Sequence, residues 1–414
     1  MLRSEKTHPC GITEQAVERP SCRRIRYIEG CSILSENGEK EMGYLKRLVI
    51  LALWTPAAFL FSDVVNKDRP LKGEWNLNLR KVWEIARAGT DVFLEPDRLQ
   101  AAVDGTLYVH DEMNRVNYIF DQDGRFVRSF GKRGQGPGEI QEQKGFYLVG
   151  KTLILVDTAK LHYFTEDGEY LKSEDNYYYR RRPVAFINER QFIACPLGIF
   201  EALDGKGKVS LVDLDSGKDM VINEFTIFQG GVAREGGLVG SLIIEGLTPL
   251  MVVGFGDNKV YYGMSDAYTI HIADLNGKQA GDFSLQRAKR KVPAEEKALR
   301  FEEFPGMRAD ARKQIMETTP DETTFFNRIE SHNGLVYVFE PVVNRGNSQP
   351  IDIFSPEGKY LYRSTIAVEE GLTMTPQQSA NPLLTNEHLY VVLADQDSKV
   401  RIIKYKISLP LPSA

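Results

Sequence analysis

Short apolar runs alternate with turn residues along most of the chain. In the clearest stretch, apolar segments lie at 98–103, 106–110, 115–120 and 125–130. Asp104-Gly105 and Asp123-Gly124 fall between them, and Asp-Gly pairs supply the backbone conformation that tight hairpins require. This stretch therefore predicts four short antiparallel strands.

The same order of segments recurs after that first unit. Close copies lie at 145–172 and 333–362, a looser copy at 250–285, a weaker one at 184–225, and a final unit of three strands at 382–405. A period of about 40 residues is typical of β-propellers. The strand-like stretch 75–85 precedes the first unit, so we expect it to pair with 399–405 and close the ring.

Two phrases of the first unit carry a family resemblance. DGTLYVHDEMNRVNYIFDQDGRFVRSFG and GKRGQGPGEI, within residues 104–140, resemble the NHL-type, six-bladed β-propeller family. The resemblance implies an all-β fold of six four-stranded antiparallel blades across residues 73–409. It implies a fold and no single activity, because this superfamily includes binding scaffolds, lyases and lactonases.

Residues 287–318 break the strand pattern. The segments 293–304 and 307–317 are rich in helix formers and are separated by Pro305-Gly306, which predicts a helical insertion between blades. We expect its apolar residues to fold down over the propeller and partly cover the central opening; the alternative is packing against neighbouring blades alone. These residues are Leu299, Phe304, Met307 and Ile315.

The N-terminal region indicates export. Lys46 and Arg47 precede an apolar run of residues 48–61, so 42–62 is interpreted as a signal peptide cleaved near Ser62, or as a short signal anchor. Residues 1–41 are interpreted as an unstructured upstream extension, with Met42 as a candidate start. A periplasmic or secreted location is expected, with membrane contact only through the signal segment.

The amino-acid composition limits the classes of partner that are expected to bind. The chain has 52 Lys and Arg against 57 Asp and Glu, a net charge of −5, which argues against nucleic acid as a partner. Three of its four cysteines lie within residues 1–62, so Cys195 is alone in the expected mature chain and no intramolecular disulfide is expected. No cofactor is predicted.

Binding is expected on one face of the propeller. The connections between blades and the loops between second and third strands emerge together, and the long segments 132–142, 177–182, 229–248 and the insertion all belong to this loop-rich face. Aromatic and arginine side chains suit a sugar or an acidic ligand, although a solvated loop is the simpler interpretation. The predicted ligand-binding residues are Arg133, Tyr177, Tyr178, Tyr179, Arg180, Arg181 and Arg182.

No catalytic or metal site is predicted. The five histidines beyond residue 62 occupy different places in the repeat, and the predicted inner strands carry few ionisable groups. The glycine-rich 131–139 lacks the context of a phosphate-binding loop and is interpreted as a turn. The predicted function is an exported scaffold that binds a protein, peptide or carbohydrate. The alternatives are a propeller hydrolase or lyase for a small substrate, with or without a divalent metal, and a purely structural role.

Overall fold

The computed structural model describes residues 63–176, 181–196, 205–228, 232–235, 238–241, 243–302, 308–342, 346–374 and 382–411, with backbone alone for 232–235 and 238–241. The predicted upstream extension and signal segment lie outside the described residues. Six antiparallel sheets follow one another along the chain. From the first sheet to the fifth, the first strand of each contacts the first strand of the next, and the fifth and sixth sheets share a hydrophobic core. The last sheet contacts the first strand of the first sheet. The chain forms a six-bladed β-propeller, which confirms the predicted fold.

The blades are numbered in chain order and their strands run from the axis outwards. Blade 1 comprises Pro96–Ala101, Leu107–Asp111, Val116–Phe120 and Phe126–Phe130; blade 2, Gln143–Val149, Thr152–Asp157, Lys160–Thr165 and Tyr170–Asp175; blade 3, Pro183–Asn188, Gln191–Ala194, Lys206–Asp213 and Lys218–Thr226; blade 4, Met251–Gly256, Lys259–Met264, Thr269–Asp274 and Gln279–Gln286; blade 5, Arg328–His332, Leu335–Phe339, Ser348–Phe354 and Tyr360–Ala367; and blade 6, Leu372–Thr373 with Leu383–Leu384, His388–Asp395, Val400–Lys406 and Arg80–Ile85.

The second strand of each blade lies in the hydrophobic core. Such strands are continuous apolar runs because both of their faces pack against neighbouring blades. Every residue of Leu107–Asp111, Thr152–Asp157 and Leu335–Phe339 is buried. Outer strands face solvent and mix polar with apolar residues, as in Phe126–Phe130, of which only Phe130 is buried.

The turn before the outer strand packs one blade on another. In blade 2 this turn contains Gly168, with φ of +77°, and a Cβ there would lie 2.9 Å from the ring of Phe130 in blade 1. Gly358 of blade 5, with φ of +87°, meets Phe283 of blade 4 in the same way. The glycines in these turns therefore supply both the left-handed backbone and the close contact between blades.

The N-terminal segment borders three blades in succession. Val64–Lys67 pairs in parallel with the outer strand of blade 4, Trp75 donates its amide to Arg363 of blade 5, and Arg80–Ile85 pairs antiparallel with Val400–Lys406. The predicted closing strand is confirmed for Arg80–Ile85. The expectation was wrong for Trp75, which belongs to the edge of blade 5 and packs its ring against Tyr362.

Two helices follow blade 4, as predicted for a helical insertion: α1 (Ala294–Glu302) and α2 (Ala309–Thr318). They share a small core with the connector that enters blade 4, and we call residues 243–250, 289–302 and 308–324 the cap. Phe301 and Ile315 are buried there against Ile244, Leu247 and Val292. The expectation that Leu299 turns inwards was wrong, because its exposure is 57%. The predicted contacts Phe304 and Met307 lie outside the described residues.

Two further hairpins lie outside the blades. Arg87–Ala88 pairs with Asp91–Val92 before blade 1, and Val232–Glu235 pairs with Leu238–Ser241 between blades 3 and 4. Helix α2 contacts the second of these hairpins. The connectors before and after blade 4 are therefore joined in one structure.

Candidate functional site

Two concavities open on the loop-rich face. Adjacent strands of a blade run in opposite directions, so the connectors between blades and the loops between second and third strands reach the same face. The first concavity, the recess, lies between blades 1 and 2 and has a volume of about 340 Å³. The second, the cap cleft, lies between the cap and the propeller and measures about 910 Å³.

The walls of the recess are fixed by a carboxylate at the end of each second strand. Asp111 accepts amide hydrogen bonds from Leu94 and Glu95 at 2.9 and 3.1 Å, which holds the chain entering blade 1. Asp157 accepts the amides of Gln141 and Glu142 at 3.1 and 3.3 Å and so holds the chain entering blade 2. The repeat thus builds the same anchor twice on the two sides of the recess.

The anchor in blade 2 is strongly acidic. Burial on its own would raise the pKa of Asp157, but the neighbouring His162 and the hydrogen bonds from Gln141 and Thr158 outweigh that effect and lower the pKa to about 2. The carboxylate is therefore ionised at neutral pH.

A pair of amide side chains bridges the two blades beneath the recess. The side chains of Asn117 and Gln143 exchange two hydrogen bonds of 3.0 Å, and both residues are buried. Each amide satisfies the other, so the floor of the recess is polar without being unpaired.

His110 presents one ring nitrogen to the recess. The side chain is 2% exposed, and its Nδ1 lies 2.6 Å from Asp97 Oδ1. The Asp97 carboxylate accepts the Nδ1 proton, so Nε2 is available as an acceptor in the tautomer that carries its only proton on Nδ1. Glu112 Oε2 lies 4.0 Å from Nε2. Asp97, His110 and Glu112 also form a group whose ligand atoms all lie within 4.8 Å of one another.

This group was not predicted from the sequence. Asp97 lies just before the predicted segment 98–103, and His110 ends the predicted segment 106–110, so 13 residues separate them. Antiparallel pairing of the first two strands brings them together, since Arg98 lies opposite His110. The shared end of two paired strands was the available signal.

The glycine-rich loop binds one of its own side chains. Glu139 accepts the Gly136 amide at 3.0 Å, and this hydrogen bond lowers the pKa of Glu139 below its ordinary value. A Cβ on Gly134 would lie 2.0 Å from the same carboxylate. The loop therefore closes on an internal anion, while its neighbour Arg133 lines the recess.

Two guanidinium groups of the recess have no ion-pair partner among the described residues. They belong to Arg115 and Arg133, which are both exposed and line the same concavity. Arg115 has a left-handed φ of +54°, and its backbone amide donates to the backbone carbonyl of Asp111. That conformation is uncommon for a residue with a side chain.

The cap cleft has an apolar floor and a charged rim. Leu247 and Val292 are buried at the floor. Lys297 is not free to bind a ligand, because Nζ donates to the Thr319 carbonyl at 2.5 Å and to Asp321 at 2.7 Å. The remaining charged groups at the rim include Lys289, Lys291, Asp266 and Glu322, none of which forms an ion pair within the described residues.

A third cluster of charges is structural. Asp352 is completely buried between blades 4 and 5, where it accepts two tyrosine hydroxyls and two guanidinium groups. The donors are Tyr268 at 2.5 Å, Tyr360 at 2.6 Å, Arg287 at 2.7 Å and Arg363 at 3.0 Å. Arg287 also pairs with Asp68, so this cluster attaches the N-terminal segment to the ring.

A comparison with protein families supports the propeller fold. Residues 93–181 match a family model described as 6-bladed beta-propeller. These residues include blade 1, blade 2 and the whole recess. No curated protein sequence matches the chain.

Solved structures with similar folds share little sequence with the chain. A protein of Bacteroides fragilis NCTC 9343, described as a candidate for export, is 12% identical, with a TM-score of 0.47 over 84% of this chain and 100% of the other. A duf4221 family member of Bacteroides vulgatus is 10% identical, with a TM-score of 0.49 over 81% and 99%. Virginiamycin B lyase of Staphylococcus aureus is 10% identical, with a TM-score of 0.40 over 78% and 98%.

The predicted ligand-binding residues separate into three groups. Arg133 lines the recess. Arg181 donates to Asp219 and to the Gly217 carbonyl of blade 3, and Arg182 lies 3.5 Å from the Cys195 carbonyl. Tyr177, Tyr178, Tyr179 and Arg180 lie outside the described residues. Within the described residues, the lining of the recess includes Arg133 but neither Arg181 nor Arg182.

The histidines of the described chain contact different groups. His162 is hydrogen-bonded to Ser173, His271 to Asp282 and His332 to Glu330, each within its own blade. Among the described residues, no helix has the length and apolar character that crossing a bilayer requires.

Proposed function

We propose that the chain is an exported scaffold that binds a peptide, or a peptide segment of a partner protein, in the cap cleft. The observation that carries the proposal is the combination of an apolar floor with unpaired charges of both signs at the rim. The cleft measures about 910 Å³, near the upper end of the range for ligand pockets.

The floor suits an apolar side chain. Met316 of α2 offers accessible, adaptable hydrocarbon there, and the buried Leu247 and Val292 support it from beneath. Burial of apolar ligand surface against this floor would supply the main favourable term in binding.

The rim suits a ligand with both charges. Lys289 and Lys291 can donate to a carboxylate of the ligand, while Asp266 and Glu322 can accept hydrogen bonds from its amine or amide groups. A peptide offers all of these groups, whereas a neutral glycan offers none of the charges. This mixture favours a peptide over a carbohydrate in the cleft.

The cap also supports a binding role through its position. It consists of long connectors on a rigid ring, which is where binding residues of repeat scaffolds commonly lie. Its small core, centred on Phe301, holds the cleft open without a ligand. Preformed clefts lose less entropy when they bind.

The test uses a random-sequence peptide library displayed against the immobilised mature protein. We expect enriched peptides, and at least tenfold weaker binding of those peptides by the Lys289→Glu, Lys291→Glu variant, because both rim cations are reversed. The control reverses Lys151 and Lys359, which are exposed on turns of the opposite face. A failure to enrich peptides, or equal binding by the rim variant, would reject the cleft as a peptide site.

Export is tested separately. We expect the protein in the periplasmic or extracellular fraction with a new N-terminus near residue 62, because 42–62 has the features of a signal peptide. N-terminal sequencing of the fractionated protein measures this. Recovery of the uncleaved protein in the cytoplasmic fraction would exclude it.

One observation favours a hydrolase or lyase as the second candidate function. Asp97 orients His110 so that Nε2 faces the recess, which is the arrangement of a general base. A metal bound to the mature protein, together with the loss of any turnover in His110→Gln, would support this candidate. If the protein contains no metal and shows no turnover, the enzyme candidate is rejected and the scaffold function is retained.

A further inference from the structure

The recess differs from the rest of the loop-rich face in its unpaired cations. Near it, Lys144 pairs with Glu142, Lys132 with Glu139, and Arg98 with Asp97. Arg115 and Arg133 have no such partner among the described residues, yet both line this one concavity. Two guanidinium groups around a small space favour an anion, and their planar forks fit a carboxylate in particular.

Two further groups of the recess, the His110 ring and the Glu112 carboxylate, can accept hydrogen bonds. In the tautomer with its proton on Nδ1, which Asp97 binds, His110 Nε2 accepts a hydrogen bond, and Glu112 Oε2 lies 4.0 Å from it. Acceptors beside an anion site suit hydroxyl groups, which donate hydrogen bonds without adding charge. The recess therefore offers a carboxylate position and a hydroxyl position side by side.

The recess is also prepared before any ligand binds. Asp111 and Asp157 fix the chain segments that enter the two blades, and the Asn117–Gln143 pair fixes the floor. A volume of about 340 Å³ lies at the small end of the range for ligand pockets. The space therefore fits a ligand of the size of one sugar unit.

A metal ion fits these groups less well. The Oδ1 atom of Asp97 bonds to His110, and its Oδ2 forms an ion pair with Arg98 Nε at 3.1 Å, so a metal ion would compete with both partners. The two unpaired arginines would also repel a cation. The Asp97, His110 and Glu112 group is better explained as an oriented acceptor pair.

We propose that the recess binds a hydroxylated carboxylic acid of the uronic acid class. Arg115 and Arg133 bind its carboxylate, and His110 Nε2 and Glu112 accept hydrogen bonds from its hydroxyl groups. This site lies apart from the cap cleft and does not depend on the proposed peptide binding.

The test is calorimetric titration of the mature protein with D-glucuronate, with D-glucose, acetate and inorganic phosphate as separate probes. We expect saturable binding of glucuronate and weaker or no binding of the other three, because glucose lacks the carboxylate and the simple anions lack hydroxyl groups. Phosphate that binds as well as glucuronate would overturn the sugar assignment, and no saturable glucuronate binding would overturn the proposal.

Variants assign the roles within the site. Arg115→Gln and Arg133→Gln should each weaken glucuronate binding by roughly tenfold or more, which is the size expected for a lost charge-assisted hydrogen bond. The matched control is Arg128→Gln, on the exposed outer strand of blade 1. Equal loss in the control, or no loss in either recess variant, would contradict the assignment. His110→Gln should weaken glucuronate binding and leave any weak acetate binding unchanged.

Discussion

The recess and the cap cleft share one face of the ring but differ in how they are built. The recess lies at the junction of blades 1 and 2 and uses positions of the repeat itself, namely the ends of second strands such as Asp111 and Asp157. The cap cleft lies beside blade 4 and uses inserted residues with their own small core. One site is thus a property of the propeller, and the other was added to it.

Because the two sites are built differently, we expect them to lose their structure independently of each other. Loss of the cap core should open the cap while the ring stays folded, because the core of Phe301 and Ile315 includes no strand of a blade. Loss of an anchor in the recess should weaken the contact between two blades.

Phe301→Ala should cost the cap about 3–5 kcal/mol, the usual range for removing a buried phenylalanine, since Phe301 is 0% exposed. Hydrogen exchange should become fast in residues 243–250 and 294–318 and stay slow in the blades. The control on the same helix is Leu299→Ala, which should have little effect because Leu299 is 57% exposed. Simultaneous loss of protection in all six blades would show that cap and ring unfold together.

Acid should destabilise the recess through Asp157. Its folded pKa is about 2 against 3.8 for the unfolded chain, so its contribution is present above pH 4 and is lost as the pH falls through 2. The loss amounts to about 2 kcal/mol. Denaturant unfolding of wild type and Asp157→Asn at pH 6 and pH 2.5 measures it, and the difference in stability between the two proteins should be much smaller at pH 2.5 than at pH 6. A constant difference between the two proteins would contradict the shift.

Asn117→Ala should lower the free energy of unfolding by about 1–2 kcal/mol, because the Gln143 amide loses both hydrogen bonds beneath the recess. The lower part of the range is expected since Gln143 also reaches the recess, where water can bind it. The double variant with Gln143→Ala should lose less than the sum of the single variants. Simple additivity in denaturant unfolding would show that the two amides act independently.

Replacing Arg180, Arg181 and Arg182 with Ala should change partner capture and cost at most about 1 kcal/mol, because the ion pair between Arg181 and Asp219 is partly exposed. The melting temperature and capture of partners from the exporting cell are the measurements. Unchanged capture of every partner would reject these arginines as a contact site. A large fall in melting temperature would instead assign Arg181 to the packing of blade 3.

The repeat explains why the ring was predictable. Alternation of apolar runs with short turns recurs in each blade, so strand order and closure by Arg80–Ile85 followed from the sequence. The first strand, Val64–Lys67, was missed because it adjoins the signal segment and pairs with Phe283–Gln286, about 220 residues away. Local pattern carries no information about such a partner.

The sites were less predictable for two physical reasons. The helical pattern of α1 contains Leu299 and Phe301, and only the contact with Leu247 decides which of them turns inwards. In the recess, Arg133 was identified from its loop, but Asp97, His110 and Arg115 come together only through strand pairing and a left-handed backbone. The sequence pattern alone does not distinguish between these candidate residues. Tertiary contacts therefore determine which of them form the site.

The N-terminal segment also determines when the ring can close. Asn66 bonds to Ser284, 218 residues later, and to Gly358, 292 residues later, and Glu84 pairs with Arg401 after 317 residues. A ribosome releases this segment before any strand that pairs with it, so its edge stays open until the last blade has been synthesised. Distant pairing of this kind is slow, and open edges aggregate. The order of synthesis therefore favours a nascent chain that is kept extended until its final strand is available.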